Sequence, residues 1–140
     1  MARSSPPARI DVLIESPRFS FIKRDDAGAI ALISPLPCPI NYGSVPGTRS
    51  GDGARVDAIV LGERKPRGLL PQQTVVAVVH FIDAGEDDPK WVCSERELSK
   101  RDRAELESFF RLYTLIKRAL NRAMGKRGTT RFDGVEQLTT

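Results

Sequence analysis

One stretch constrains the fold more than any other. Beyond residue 99, apolar side chains recur every three and four positions: Leu106, Phe109, Phe110, Tyr113, Ile116, Leu120 and Met124. That spacing puts them on one stripe of an amphipathic helix with a single buried face. Ser99-Lys-Arg-Asp102 has the form of a capping box with Asp in place of Glu, and Gly125 is a natural stop. The spacing predicts a helix of about 25 residues, spanning roughly 37 Å, long enough to cross a small barrel.

The chain before it changes character. Residues 10–15, 19–23, 29–33, 56–61, 74–82 and 90–93 read as short strands, the fifth β-branched and apolar enough for burial on both faces. Pro35, Pro37 and Pro39 exclude a central strand or a helix around them. Residues 34–57 are therefore expected as an irregular, functional loop, with Asn41, Gly43, Gly47, Gly51 and Gly53 as turn formers. Residues 62–71 read as a connection and 83–89 as an acidic loop. Short strands followed by one long helix suggest a mostly β, α+β protein: a compact β-barrel with the helix on its side.

Composition narrows the classes. A length of 140 residues fits one domain, expected over residues 10–138 behind a flexible tail at 1–9. Hydrophobic residues at 40% and charged residues at 29% are globular proportions, while aromatics at 6% imply an aliphatic core. A net charge of +4 tolerates anionic ligands without arguing for nucleic acid. No run approaches the roughly 20 apolar residues of a membrane helix. MARSSPPARI lacks an apolar core of signal-peptide length, and Cys38 and Cys93 fit reduced thiols in a cytoplasmic protein. His80 is the only histidine, which excludes a Ser-His-Asp triad or a two-histidine zinc site unless another subunit contributes. Within an apolar run, His80 reads as a histidine without a chemical role.

The residues suited to chemistry are carboxylates beside strands. Asp52 and Asp57 flank Gly53-Ala-Arg-Val56, Asp83-Ala-Gly-Glu-Asp-Asp88-Pro-Lys90 forms a second cluster, and Glu15 ends the first strand. Hard cations such as Mg²⁺ need oxygen ligands of this kind, and Lys90 would share a face with Asp88 in an extended segment. On the residues alone, solvated acidic loops and a cation-binding shell both remain open.

Motif order then brings in a resemblance. Cys38-Pro-Ile-Asn-Tyr42-Gly resembles the Tyr-Pro-x-Asn-Tyr-Gly segment of the soluble family I inorganic pyrophosphatases. Asp52-Gly-Ala-Arg-Val-Asp57 is similar to their signature Asp-x-Asp-Pro-x-Asp, and residues 83–90 to their Asp-Glu-x-x-x-Asp-x-Lys segment. Phe109-Phe-Arg-Leu-Tyr113 resembles the Phe-Phe-x-x-Tyr of their long helix, and the likeness runs from about Ile10 to Glu136. The resemblance implies a five-stranded closed barrel, OB-like, with the long helix packed on it. It implies Mg²⁺-dependent hydrolysis of pyrophosphate with several ions, Mn²⁺ or Zn²⁺ being alternatives, in a cytoplasmic homo-oligomer. Asp52, Asp57 and Asp88 would hold the tightest ion, with Asp52, Asp57 and Tyr42 as catalytic residues. Asp83, Asp88 and Glu15 would hold the ions that arrive with substrate. Lys23, Tyr42, Lys90 and Tyr113 would contact phosphate, and Asp25 would lie farther out.

Three positions depart from the pattern. Ala54 stands where the signature has its middle aspartate, the implied acceptor of the attacking water's proton. Residues 29–36 contain no arginine for phosphate, Ile30 standing in that region, and Thr114 replaces a phosphate-binding lysine. Lys117, one helical turn beyond Tyr113, could substitute in part, as could Arg49 or Arg55 from the loop. The sequence thus supports a pyrophosphatase of reduced activity, or an inactive paralogue that binds metal and phosphate or assembles with a partner. A third reading, an anion-binding module, rests on Arg111, Lys117, Arg118, Arg122, Lys126, Arg127 and Arg131, which read equally as a solvated helix face.

Overall fold

The computed structural model describes residues 6–18, 22–24, 30–33, 40–51 and 53–138. Its strands are β1 (Arg9–Ser16), β2 (Ile22–Arg24), β3 (Ile30–Ile33), β4 (Asn41–Ser44), β5 (Asp57–Val60), β6 (Gly68–Asp83), β7 (Glu86–Asp87), β8 (Lys90–Cys93) and β9 (Arg131–Gln137). The helix α1 (Lys100–Ala123) lies between β8 and β9. Five strands close a ring in the order β1-β4-β5-β8-β6 and back to β1. All neighbours in it are antiparallel except β5 and β8, which run parallel. β9 and β7 add to β6, and β2 pairs with β3 separately. The OB-like barrel with a helix on its side is the architecture found.

β6 makes the closure because it bends. Its first half pairs with β1 and its second with β8 and β9. Between them Pro71, which has no N–H to donate, and Gln72, at φ 55°, interrupt the register. The Gln72 N–H is received by Asp11 Oδ1 at 3.0 Å.

Two cores follow from the period-2 alternation of these strands. Ile10, Val12, Ile14, Ala58, Val60, Val75 and Cys93 cluster on one face. Ile59, Ala77, Val79, Phe81 and Val92 cluster on the other, with Leu106, Phe110 and Tyr113 of α1. A ring this small leaves no room for a helix inside, so the first cluster fills the barrel and the second lies between barrel and helix. Burial of Cys93 pushes its thiol up to about 12.

The helix starts as its sequence requires. Ser99 Oγ accepts from the Asp102 N–H at 3.0 Å, and Asp102 Oδ2 accepts from the Ser99 N–H at 3.1 Å. Leu106, Phe110 and Tyr113 are buried on the barrel. The stripe does not hold to its end: Met124, the residue after α1, is 67% exposed. Among the described residues no helix is long and apolar enough to cross a membrane.

Four strands depart from the sequence expectation, among them β7, which lies inside the expected acidic loop. β4 lies inside the expected irregular loop, with Asn41 and Gly43 within it rather than at turns. Asn41 is fully buried and staples three segments. Its Nδ2 donates to Val60 O (3.0 Å) and Glu63 O (2.8 Å), and its Oδ1 accepts from the N–H groups of Arg18 and Lys65 (both 2.8 Å). Gly43 lets β1 approach, because a Cβ there would lie 1.9 Å from Leu13 O. β9 follows the helix where no strand pattern is evident, and covers the otherwise open edge of β6. β6 itself begins at Gly68, within the expected connection.

Candidate active site

The site grows out of one row across the sheet. Ser44 of β4 lies opposite Asp57 of β5, Asp57 opposite Lys90 of β8, and Lys90 opposite Val79 of β6. Tyr42, two residues before Ser44, points to the same face. The parallel pairing of β5 with β8 therefore brings together residues 33 positions apart.

Lys90 is the centre of the arrangement and is completely buried. Its Nζ donates to Asp57 Oδ2 at 2.5 Å and to Asp88 Oδ2 at 2.8 Å. Below the ammonium lie the rings of Phe81 at 5.4 Å and of Tyr42 and Tyr113 at 6.0 Å. Burial works against the charge, but Asp57, then Tyr113 and Asp88, outweigh it and hold Lys90 above the usual lysine range. Tyr42 Oη donates to Asp57 Oδ2 at 2.8 Å. Burial first, and Asp57 second, raise its phenol well above the usual value, so it stays a neutral donor.

The flanks are held separately. Glu15, at the end of β1 and nearly buried, accepts from Ser44 Oγ at 3.1 Å. Asp83, at the end of β6, faces α1, where Lys117 Nζ lies 3.2 Å from its Oδ2 and Asn121 Nδ2 donates to its Oδ1 at 2.7 Å. The loop between β4 and β5 folds back on Thr48, whose Oγ1 donates to Val45 O at 2.6 Å and accepts from the Val56 N–H at 3.1 Å. Gly51 in that loop rests on the backbone of Asp87, where a Cβ would lie 2.8 Å from the carbonyl oxygen.

Of the residues singled out in the sequence, Tyr42, Asp57, Asp88, Lys90 and Tyr113 converge. Asp83 and Glu15 sit on the flanks with partners of their own. Asp52 and Asp25 lie outside the described residues, and Lys23 is placed only as a residue of β2. Ala54 is exposed, and Ser50 donates its N–H to the Ala54 carbonyl at 2.8 Å. Arg49 reaches back to Gly53 O at 3.0 Å within its own loop. Thr114 Oγ1 is turned into the helix and donates to Phe110 O at 2.6 Å. Sequence reasoning missed Asn121 and Thr130 beside Asp83; the one available signal was that Asn121 continues the Tyr113–Lys117 face at helical spacing.

The donor set can be tested against a divalent cation. Asp57 and Asp88 place two carboxylates around one ammonium, which leaves net negative charge and oxygen donors for a hard ion. These residues fit. At Asp83 one carboxylate meets one ammonium, leaving no excess charge, and that end does not fit. Among the described residues no three acidic, histidine or cysteine side chains converge. On the opposite face of β8, Trp91 walls a cavity of about 290 Å³ together with His80 and Glu136, which pair at 2.7 Å.

Comparison with known proteins agrees with this fold. The profile described as "Inorganic pyrophosphatase" matches residues 12–131. A relative named inorganic pyrophosphatase from Gluconobacter oxydans is 32% identical over 98 residues, covering 62% of this chain and 55% of the relative. The chain thus spans about half the length of that relative. The solved inorganic pyrophosphatase of Neisseria gonorrhoeae is 25% identical, with a TM-score of 0.72, covering 93% of this chain and 83% of that one. That of Thermus thermophilus is 22% identical, with a TM-score of 0.74 and coverage of 96% and 86%, a likeness of fold.

Proposed function

This chain belongs to the inorganic pyrophosphatase family, and we propose from that premise that it hydrolyses pyrophosphate to two phosphates with Mg²⁺, at a reduced rate. The observation that carries the reading is the convergence of Asp57, Asp88 and Tyr42 on the buried Lys90. It combines net negative charge for a hard cation with fixed donors for a phosphate. Asp57 and Asp88, with Asp52, would hold the activating ion. Bound there, Mg²⁺ supplies charge neutralisation and an acidified water.

The chain's own residues do the rest. Lys90, Tyr42 and Tyr113, with Lys23, orient the phosphate oxygens, and the sheet beneath them keeps the donors preorganised for the charge that develops. Burial of Lys90 excludes water from its ammonium and strengthens its pull on an anion. Ala54 offers no carboxylate to take the water's proton, and a positioned base is typically worth about 10²–10⁴-fold. The expected rate is therefore lower by a factor in that range. Residues 10–138 act as one domain in this reading, in a cytoplasmic homo-oligomer.

A second reading, an inactive paralogue that binds metal and phosphate, is favoured by the inward turn of Thr114. Its side chain contributes nothing to a phosphate clamp. Phosphate release from pyrophosphate with Mg²⁺ separates the two, measured for the wild type, Ala54→Asp and Asp57→Asn. Turnover in the wild type that rises in Ala54→Asp and vanishes in Asp57→Asn is expected. Silence in both the wild type and Ala54→Asp would move the conclusion to the binding role.

A further inference from the structure

Asp83 ends β6 with both carboxylate oxygens engaged by α1. Lys117 Nζ lies 3.2 Å from Oδ2, and Asn121 Nδ2 donates to Oδ1 at 2.7 Å. Asn121 is itself pinned, because Nδ2 also donates to Thr130 Oγ1 at 3.0 Å, and Thr130 Oγ1 accepts from the Ala84 N–H at 3.0 Å. Tyr113, Lys117 and Asn121 follow at intervals of four residues, so one face of the helix serves both Lys90 and Asp83.

The pair is sheltered: the side chains of Lys117 and Asp83 are 23% and 13% exposed. It is thus unlike a solvated surface pair, which contributes little. Burial raises the Asp83 carboxyl, but Asn121 and Lys117 bring it below the ordinary value. Ala84 follows Asp83 and adds no second carboxylate. The charge balance is one to one, in contrast to the two carboxylates around Lys90.

We propose that Lys117 is a built-in cation, whose ammonium takes at Asp83 the place of a divalent ion accompanying the substrate. The inference rests on the pyrophosphatase reading and deepens it: the chain would take pyrophosphate with one metal ion fewer. Lysine suits the role as a compact, mobile point charge that can also meet a phosphate oxygen.

The experiment counts bound Mn²⁺ per chain by the loss of the free-ion electron paramagnetic resonance signal. It uses the full chain, with and without imidodiphosphate, a non-hydrolysed analogue. Asp83→Asn should leave the wild-type count unchanged. Lys117→Met should gain one ion, and Asp83→Asn in that background should lose it. Lys117→Arg, which keeps the charge, should keep the wild-type count. Loss of an ion in Asp83→Asn alone, or no gain in a folded Lys117→Met, would overturn the proposal. Should Lys117→Met fail to fold, Asp83→Asn decides alone, a lost ion overturning the proposal and an unchanged count upholding it. Failure of the pyrophosphatase reading would show separately, as absent phosphate release.

Discussion

Replacing Lys90 by methionine tests the centre of the site directly. The two side chains are similar in length, so Lys90→Met removes the charge and leaves little cavity. Lys90 is fully buried, and the side chains of its partners Asp88 and Asp57 are 5% and 22% exposed. Removing one member of a buried ion pair costs about 3–5 kcal/mol, because the remaining charge stays buried without its counterion. That is a large part of a typical total stability of roughly 5–15 kcal/mol. The loss has a definite pH dependence. Two carboxylates left sharing one site raise the pKa of one of them in the folded state. A group with a raised folded value contributes stability below its unfolded value and loses it as pH rises through the folded one. The deficit of Lys90→Met should therefore be larger at about pH 8 than at about pH 5. Mg²⁺ should narrow the deficit by as much as the variant, freed of the ammonium between its two carboxylates, binds the ion more tightly than the wild type does. Urea unfolding of both proteins, at both pH values and with and without Mg²⁺, measures all three effects. A deficit under about 1 kcal/mol, or one that does not shrink on acidification, would refute the reasoning.

Two further outcomes test the scaffold. Asp102→Ala removes the carboxylate that caps the Ser99 N–H and its ion pair with Arg96 at 3.0 Å, leaves the bond from the residue-102 N–H to Ser99 Oγ in place, and should cost about 1–2 kcal/mol. Against its burial, Ser99 and Arg96 lower the Asp102 carboxyl, so this stability is present above the unfolded value of about 3.9 and lost as pH falls below it; urea midpoints at about pH 7 and pH 3 should converge for the two proteins. Gly43→Ala sets a Cβ against Leu13 O and should cost about 3 kcal/mol or more, read as a fall in Tm, because the obstacle is backbone that cannot rotate away.

Much of this protein was legible where the physics is local. The helix declares itself by its period, and Ser99 and Asp102 need only each other to start it. The second half of β6, residues 74–82, declares itself by a β-branched, apolar run. Elsewhere the residues gave a local signal that a distant partner overrode. Asn41 and Gly43 are turn formers by type, yet Asn41 ties segments 18, 60, 63 and 65 together and Gly43 receives β1. β9 carries no alternation of its own and forms because β6 offers it an edge.

The site divides the same way. The acidic residues and their spacing stand in the sequence, and so does the family resemblance. Which carboxylate meets which cation does not. Asp57 reaches Lys90 through the parallel pairing of β5 with β8, and Asp83 turns to Lys117 because α1 crosses the end of β6. A helical period and a cap are settled within a few residues of chain, whereas ion pairs 33 and 34 positions apart exist only once strands and helix have docked.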